Sequence, residues 1–221
     1  MREKARILKA AEILEAEYGL SRWEHAKHDP ITTLVGTILS QNTSDRNSTP
    51  AFNALRKRYP SWEKVLAAPE EDIAETIRRG GLPNIKAKRI KCALKRIKET
   101  AGKLSLDFLK NKPKEEVQTF LLSLPGVGWK TASIIMLFSL GIPAFPVDTH
   151  IFRVSKRLGF IPNNASLEEA HKILDRSVPD GKKASFHVNL IYLGRDVCHP
   201  KKPECERCVL NKMCPSRRKL A

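Results

Sequence analysis

The chain has 221 residues, 41% of them hydrophobic, which is enough to bury a real core in one large or two closely joined domains and too much for a disordered chain. Lys and Arg outnumber Asp and Glu 40 to 24, and the resulting formal charge of +16 favours a polyanionic partner over a small acidic ligand. No apolar run approaches the roughly 18 residues of a membrane span, and the charged amphipathic N-terminus is unlike a signal peptide. A soluble intracellular protein of the cytoplasm or nucleoid, with no membrane partner, is expected.

Helical periodicity recurs along the chain with short breaks, and no turn dipeptide separates two alternating runs, so an all-α fold is predicted. Ile7, Ala11, Leu14 and Tyr18 share one face of a first helix that Gly19 ends. Asp29-Pro30 caps and opens a second helix through Leu34 and Ile38 toward Ser40. The polar stretch from Gln41 to Asn47 is rich in groups able to bond a base edge, although the residues by themselves are better described as a helix end followed by a capped start. Further helices are predicted over 48–58, 61–67 and 70–79, the last closed by Gly80-Gly81. From Asn84 to Thr100, Ile90, Ala93, Leu94 and Ile97 form an apolar face. Lys86, Lys88, Arg89, Lys91, Lys95, Arg96 and Lys98 fill the rest as a solvated face. Leu82, on a tight turn before this helix, would stand as a wedge beside a basic surface.

Val117, Phe120, Leu121 and Leu124 lead with helical spacing into Pro125-Gly126-Val127-Gly128, and a second apolar run follows from Ala132 to Leu140. Two helices are therefore joined by a tight turn. Glycine lets that turn approach another chain closely, and the amides opening the second helix are suited to an anion, here a nucleic-acid phosphate. Lys130 falls in the first turn of that helix, where a cation opposes the helix dipole, so its presence calls for a reason other than stability. After the Pro143–Pro146 break, Asp148 reads as the N-cap of a helix whose apolar face begins with Ile151, Phe152 and Val154. Helices over 166–177 and 182–195 follow.

Cys198, Cys205, Cys208 and Cys214 then lie within 17 residues, spaced C-x6-C-x2-C-x5-C. Four thiols so close in an intracellular chain point to a metal centre, and both zinc and an iron–sulfur cluster accept four thiolates. A centre with four protein ligands keeps no open position for chemistry. Lys201, Lys202, Arg207, Lys212, Arg217, Arg218 and Lys219 surround it, which suggests a stapled basic surface. The fifth cysteine, Cys92, reads as a small packed side chain.

In this order, the hairpin Leu124-Pro125-Gly126-Val127-Gly128 with Lys130-Thr131-Ala132, the segment Val147-Asp148-Thr149-His150 and the four cysteines resemble the endonuclease III family of helix-hairpin-helix DNA glycosylases over nearly the whole chain. The resemblance implies two helical domains, a six-helix domain over 23–133 and a cluster domain from 1–22 with 134–221. It also implies a [4Fe–4S] cluster on the four cysteines and a monovalent cation at the hairpin. Base excision with abasic-site lyase activity is implied as well, on duplex DNA carrying a damaged or mismatched pyrimidine or an abasic site, by a monomer. Lys130 would be the nucleophile toward C1′, acting as an uncharged amine that burial and the helix dipole both favour, and Asp148 would stabilise charge on the sugar. Gln41, Asn42, Leu82, Leu124, Gly126, Val127, Gly128 and Thr131 would contact DNA. Among these, Leu82 wedges into the stack, Asn42 or Gln41 fills the gap left by the flipped base, and Gly126 and Gly128 grip a phosphate with the Val127 amide. Gln41–Ser44 and Gly80–Asn84 also resemble segments of plant demethylating glycosylases. Alternatives are a monofunctional thymine or uracil mismatch glycosylase, and a non-catalytic DNA binder holding zinc.

Overall fold

A computed structural model describes residues 2–20 and 29–217, and among them there are eleven α-helices and no strand, as the sequence predicts. The chain divides into two compact units, Lys27–Ile142 and the pairing of Met1–Ala26 with Pro143–Ala221. The expected domain limit at 22/23 and the basic residues Arg218 and Lys219 lie outside the described residues.

The unit Lys27–Ile142 is organised around α2 (Pro30–Ser40). Asp29 caps it: its Oδ2 accepts from the Thr32 amide at 2.8 Å and from the Thr32 hydroxyl at 2.7 Å, and Pro30 fills the first turn, where a missing amide costs nothing. Ile31, Leu34, Val35, Ile38 and Leu39 are all buried, each contributing roughly 2 kcal/mol. Positions so spread around one cylinder need cover on several sides, and α2 packs on α3 (Asp45–Arg58), α6 (Pro83–Ala101) and α8 (Trp129–Ile135). Helix α3 starts three residues before the expected 48 and runs through Pro50, which removes one ladder bond. Short helices α4 (Trp62–Ala67) and α5 (Glu70–Thr76) lead through a 3-10 turn at Arg78–Gly80 to α6. Helix α7 (Lys114–Leu122) enters the hairpin, and α8 leaves it and continues as a π-helical turn, Met136–Leu140. There Ser139 donates to the Thr33 hydroxyl at 2.8 Å, which ties the far end of the rod to α2. Residues 134–142 consequently stay with this unit, past the expected limit of 133.

The basic face of α6 differs in detail from its prediction. Lys88, Lys95, Arg96 and Lys98 are exposed, whereas Lys86 is 1% exposed, Arg89 is half-buried and Lys91 donates to the Ala68 carbonyl. Cys92, expected to be packed, is exposed on the same helix.

In the other unit, α1 (Arg2–Tyr18) lays Ile7, Ala10, Ala11 and Leu14 against a core shared with α9 (Thr149–Leu158), α10 (Leu167–Ser177) and α11 (Lys183–Asp196). Helix α10 opens on a capping box, the Ser166 amide bonding Glu169 Oε2 at 2.7 Å and the Glu169 amide bonding Ser166 Oγ at 3.2 Å. Helices α9 and α11 approach so closely at Gly194 that a β-carbon there would lie 2.8 Å from His150 Cβ, a contact only glycine avoids.

Candidate active site

The hairpin is built by backbone bonds. The Ser123 amide closes α7 on Thr119 and Phe120, and the Val127 amide donates to the Leu124 carbonyl at 3.0 Å across Pro125 and Gly126. Gly126 has φ +82°, and a β-carbon on it would meet Arg89 Cδ at 2.8 Å, so both the turn and the packing call for glycine. Gly128, the extended N-cap of α8, has no side chain with which to cap it, and the positive helix start carries no cap of its own. Lys130 lies in that first turn and is exposed. The burial expected to favour its uncharged amine is absent, because the inward positions of this turn belong to Thr131 and Ala132. Leu124, Val127 and Thr131, expected at the DNA, are likewise turned into the protein at 2%, 7% and 3% exposure, and the Val127 amide is used inside the turn. Gly126, Gly128 and Lys130 make up the outer side of the hairpin.

Gln41 is bound to the hairpin. Its Nε2 donates to the Gly126 carbonyl at 2.8 Å and its Oε1 accepts from Arg89 at 3.1 Å, so the side chain braces the hairpin from behind. The neighbouring Asn42 is exposed with φ +52°, and Leu82 is 45% exposed with φ +51°. Left-handed backbone costs a non-glycine residue about 1–2 kcal/mol, more readily offset for Asn than for Leu. Two such residues therefore mark loops held in shape by their surroundings. Leu82 and Ile85, at 45% and 49%, are large exposed apolar side chains three positions apart beside the cationic face of α6. The bracing by Arg89 was not legible from spacing, since a half-buried guanidinium and a solvated one have the same period.

Asp148 is half-buried and caps α9, its Oδ1 accepting from the Ile151 amide at 2.8 Å. The extended run leading to it is fixed by side chains: the Phe145 amide donates to Asp175 Oδ1 at 2.9 Å, His171 Nδ1 to the Phe145 carbonyl at 3.2 Å, and His187 Nδ1 to the Pro146 carbonyl at 2.9 Å. Lys183, 2% exposed, anchors Asp175 in turn at 3.0 Å. A carboxylate held so on a rigid leader has one oxygen bound by the cap and the other available for outside chemistry.

All four cysteines of the C-terminal loop line one pocket with Val154, Leu158, Leu193 and Arg157. Arg157 donates to Cys198 Sγ at 3.2 Å and to the His199 and Pro200 carbonyls at 2.6 and 2.9 Å, and Arg153 donates to the Cys198 carbonyl at 3.0 Å. Burial pushes the thiols of Cys208 and Cys214 up, and the neighbouring cysteines add to it. The pocket thus has apolar walls, four thiols and a cation aimed at one of them, and among the described residues no three potential ligands stand close enough together to form a metal-binding group. Arg153 and Arg157 escaped sequence reasoning, although their spacing puts both on one face of α9.

An all-α chain whose hairpin feeds a glycine-capped helix start bearing an exposed lysine is a helix-hairpin-helix protein. The chain belongs to the HhH-GPD superfamily of base excision DNA repair proteins, whose family profile matches residues 35–180. A candidate DNA glycosylase of Arabidopsis thaliana is 41% identical over 166 residues, a match covering 75% of this chain and 56% of the plant protein. Endonuclease III of Thermotoga maritima is 33% identical over 190 residues, 86% of this chain and 84% of that one. Among solved structures, a non-covalent endonuclease III–DNA complex superposes with a TM-score of 0.82 at 28% identity, covering 98% of this chain and 97% of the other.

Proposed function

We propose that the protein is a bifunctional DNA glycosylase and abasic-site lyase of the endonuclease III type, acting as a monomer on duplex DNA that carries a damaged or mismatched pyrimidine or an abasic site. The observation that carries this reading is the exposed Lys130 in the first turn behind the hairpin, a position where it does nothing for the helix. The target nucleotide leaves the stack, because C1′ is otherwise shielded. The uncharged Lys130 amine attacks C1′ as the bond to the base breaks, the base leaving with the bonding electron pair. Proton loss from nitrogen and ring opening then give a protonated imine with the sugar. That imine acidifies C2′; loss of a C2′ proton expels the 3′ phosphate, and water releases the lysine. The Asp148 carboxylate stabilises the positive charge that grows on the sugar. Leu82 and Asn42 fill the distorted stack, Gly126 and Gly128 hold the phosphate with a monovalent cation at the hairpin, and Gln41 and Arg89 keep that turn in shape.

Cys198, Cys205, Cys208 and Cys214 would hold a [4Fe–4S] cluster whose contribution is to staple the basic loop. Arg157 steadies its Cys198 sulfur. Purified protein is expected to be brown, with iron and acid-labile sulfide in equal amounts and both lost in Cys208→Ser; colourless protein containing stoichiometric zinc would replace the cluster by zinc. Among the described residues, no helix is long and apolar enough to cross a membrane.

The test of the whole reading is borohydride trapping on duplexes containing an abasic site, thymine glycol, or uracil or thymine opposite guanine. A covalent adduct with strand scission supports the lyase. Base release without an adduct would move the protein to the monofunctional mismatch glycosylases, and binding with neither would leave a non-catalytic binder.

A further inference from the structure

Lys86 is among the largest fully buried side chains of the protein and carries a cation into the core of its unit. Its Nζ bonds main chain rather than a carboxylate, donating to two carbonyls, Leu39 at 2.7 Å and Gly80 at 2.8 Å. Leu39 lies in the last turn of α2, and Gly80 closes the 3-10 turn at Arg78–Gly80. Both are helical C-termini, where carbonyls lack ladder partners and the dipole is negative. Burial lowers the pKa of this lysine, and two such ends converging on its nitrogen offset part of the desolvation.

The residues just downstream of each carbonyl give the contact its significance. Three residues past Leu39 is Asn42, and two past Gly80 is Leu82; both are exposed and both hold left-handed backbone. No other described non-glycine residue of this unit has positive φ. The two segments come from helices about forty residues apart, and the side chain of Lys86 bonds the base of each.

We propose that Lys86 is a positioning residue that clamps the Asn42 and Leu82 loops to each other, so that the two side chains enter a DNA duplex as one preset unit. The DNA part of this rests on the repair reading above; the clamp itself does not. A long side chain with at least two donors is required because a group reaching one carbonyl alone would leave the other helix end unsatisfied.

Hydrogen–deuterium exchange of the full chain tests the clamp without DNA. In Lys86→Met the amides of 40–43 and 80–83 are expected to exchange faster together, with α3 and α7 unchanged. Lys86→Gln, which keeps a donating NH2 on a shorter side chain, should change the same two segments less and covers the case in which the methionine variant fails to fold. Acceleration of neither loop, of one alone, or of the whole unit in both variants would overturn the clamp. The DNA role is read by titrating a duplex with a tetrahydrofuran abasic-site analogue against a fully paired duplex. Lys86→Met is expected to lose about tenfold affinity for the first and none for the second, and adding it to Leu82→Ala should cost nothing further, since coupled sites are not additive. Additive losses, or equal losses on both duplexes, overturn it. A native protein with no preference for the analogue would refute the repair reading and this use of the loops with it, leaving exchange alone to decide the clamp.

Discussion

The Lys130→Ala protein is expected to fold as well as the native chain, or slightly better, and to form no borohydride-trapped adduct with abasic-site DNA. The two halves of that expectation have one physical origin. Lys130 is exposed in the first turn of α8, behind a glycine N-cap with no side-chain cap. A cation there works against the helix dipole by about 0.3–1 kcal/mol, and alanine is the better helix former, so removal should raise the melting temperature or leave it unchanged. Activity should go the other way, with imine formation and strand scission falling by about 10³-fold or more, because a covalent route without its nucleophile has no substitute step. Binding to a tetrahydrofuran duplex should stay within a few-fold of native, since one exposed cation among many contributes little. Lys98→Ala, removing an exposed cation from α6, is the control and should trap normally. Equal trapping by the native protein and Lys130→Ala would remove Lys130 from the mechanism, and a marked loss of stability would mean that the side chain has a structural partner after all.

The same contrast explains what the sequence could and could not disclose. Helices were legible wherever a cap and a period coincide: Asp29-Pro30 opens α2, Ser166 with Glu169 opens α10, and the face of Ile90, Ala93, Leu94 and Ile97 sets α6. Chemistry-bearing positions were legible where a residue conflicts with its local role, as Lys130 does, or where a spacing has few other uses, as with the four cysteines. Direction was not legible. Leu124, Val127 and Thr131 sit in the hairpin motif and face inward, because a tight turn must bury something on its concave side. Gln41 looked like a reader of bases and is a brace for Gly126, and Lys86 looked like one more solvated cation and is buried against two helix ends. In each case the partner lies 40 or more positions away along the chain, beyond the reach of any local pattern, except for the six between Gly80 and Lys86. That short link was hidden by its neighbours: seven cations on one helix make any single one look solvated.

Asp148→Asn is expected to keep the fold and lose base excision by at least about 100-fold, and pairing it with Asp148→Ala separates the two roles this residue could have. Asn is as good an N-cap as Asp, so the bond to the Ile151 amide, now 2.8 Å, can be retained while the charge is removed. The stability forfeited is the attraction of the carboxylate to the start of α9, about 0.3–1 kcal/mol, together with its weaker attraction to Arg153. Alanine forfeits the cap as well, a further cost of about 1 kcal/mol. If Asp148 were only a cap, excision would follow stability, with Asn close to native and Ala impaired. If the free oxygen opposes positive charge on the sugar, both variants should be equally slow while differing in melting temperature. The rigid leader favours the second pattern: Asp175, His171 and His187 fix both backbone groups of Phe145 and the carbonyl of Pro146. A cap needs no such scaffold, since α10 has one from Ser166 and Glu169 alone, whereas a charge that must meet a transition state within a fraction of an ångström does. His187→Ala should then slow excision by about tenfold at unchanged duplex affinity, and native rates in that variant would return Asp148 to the role of a cap.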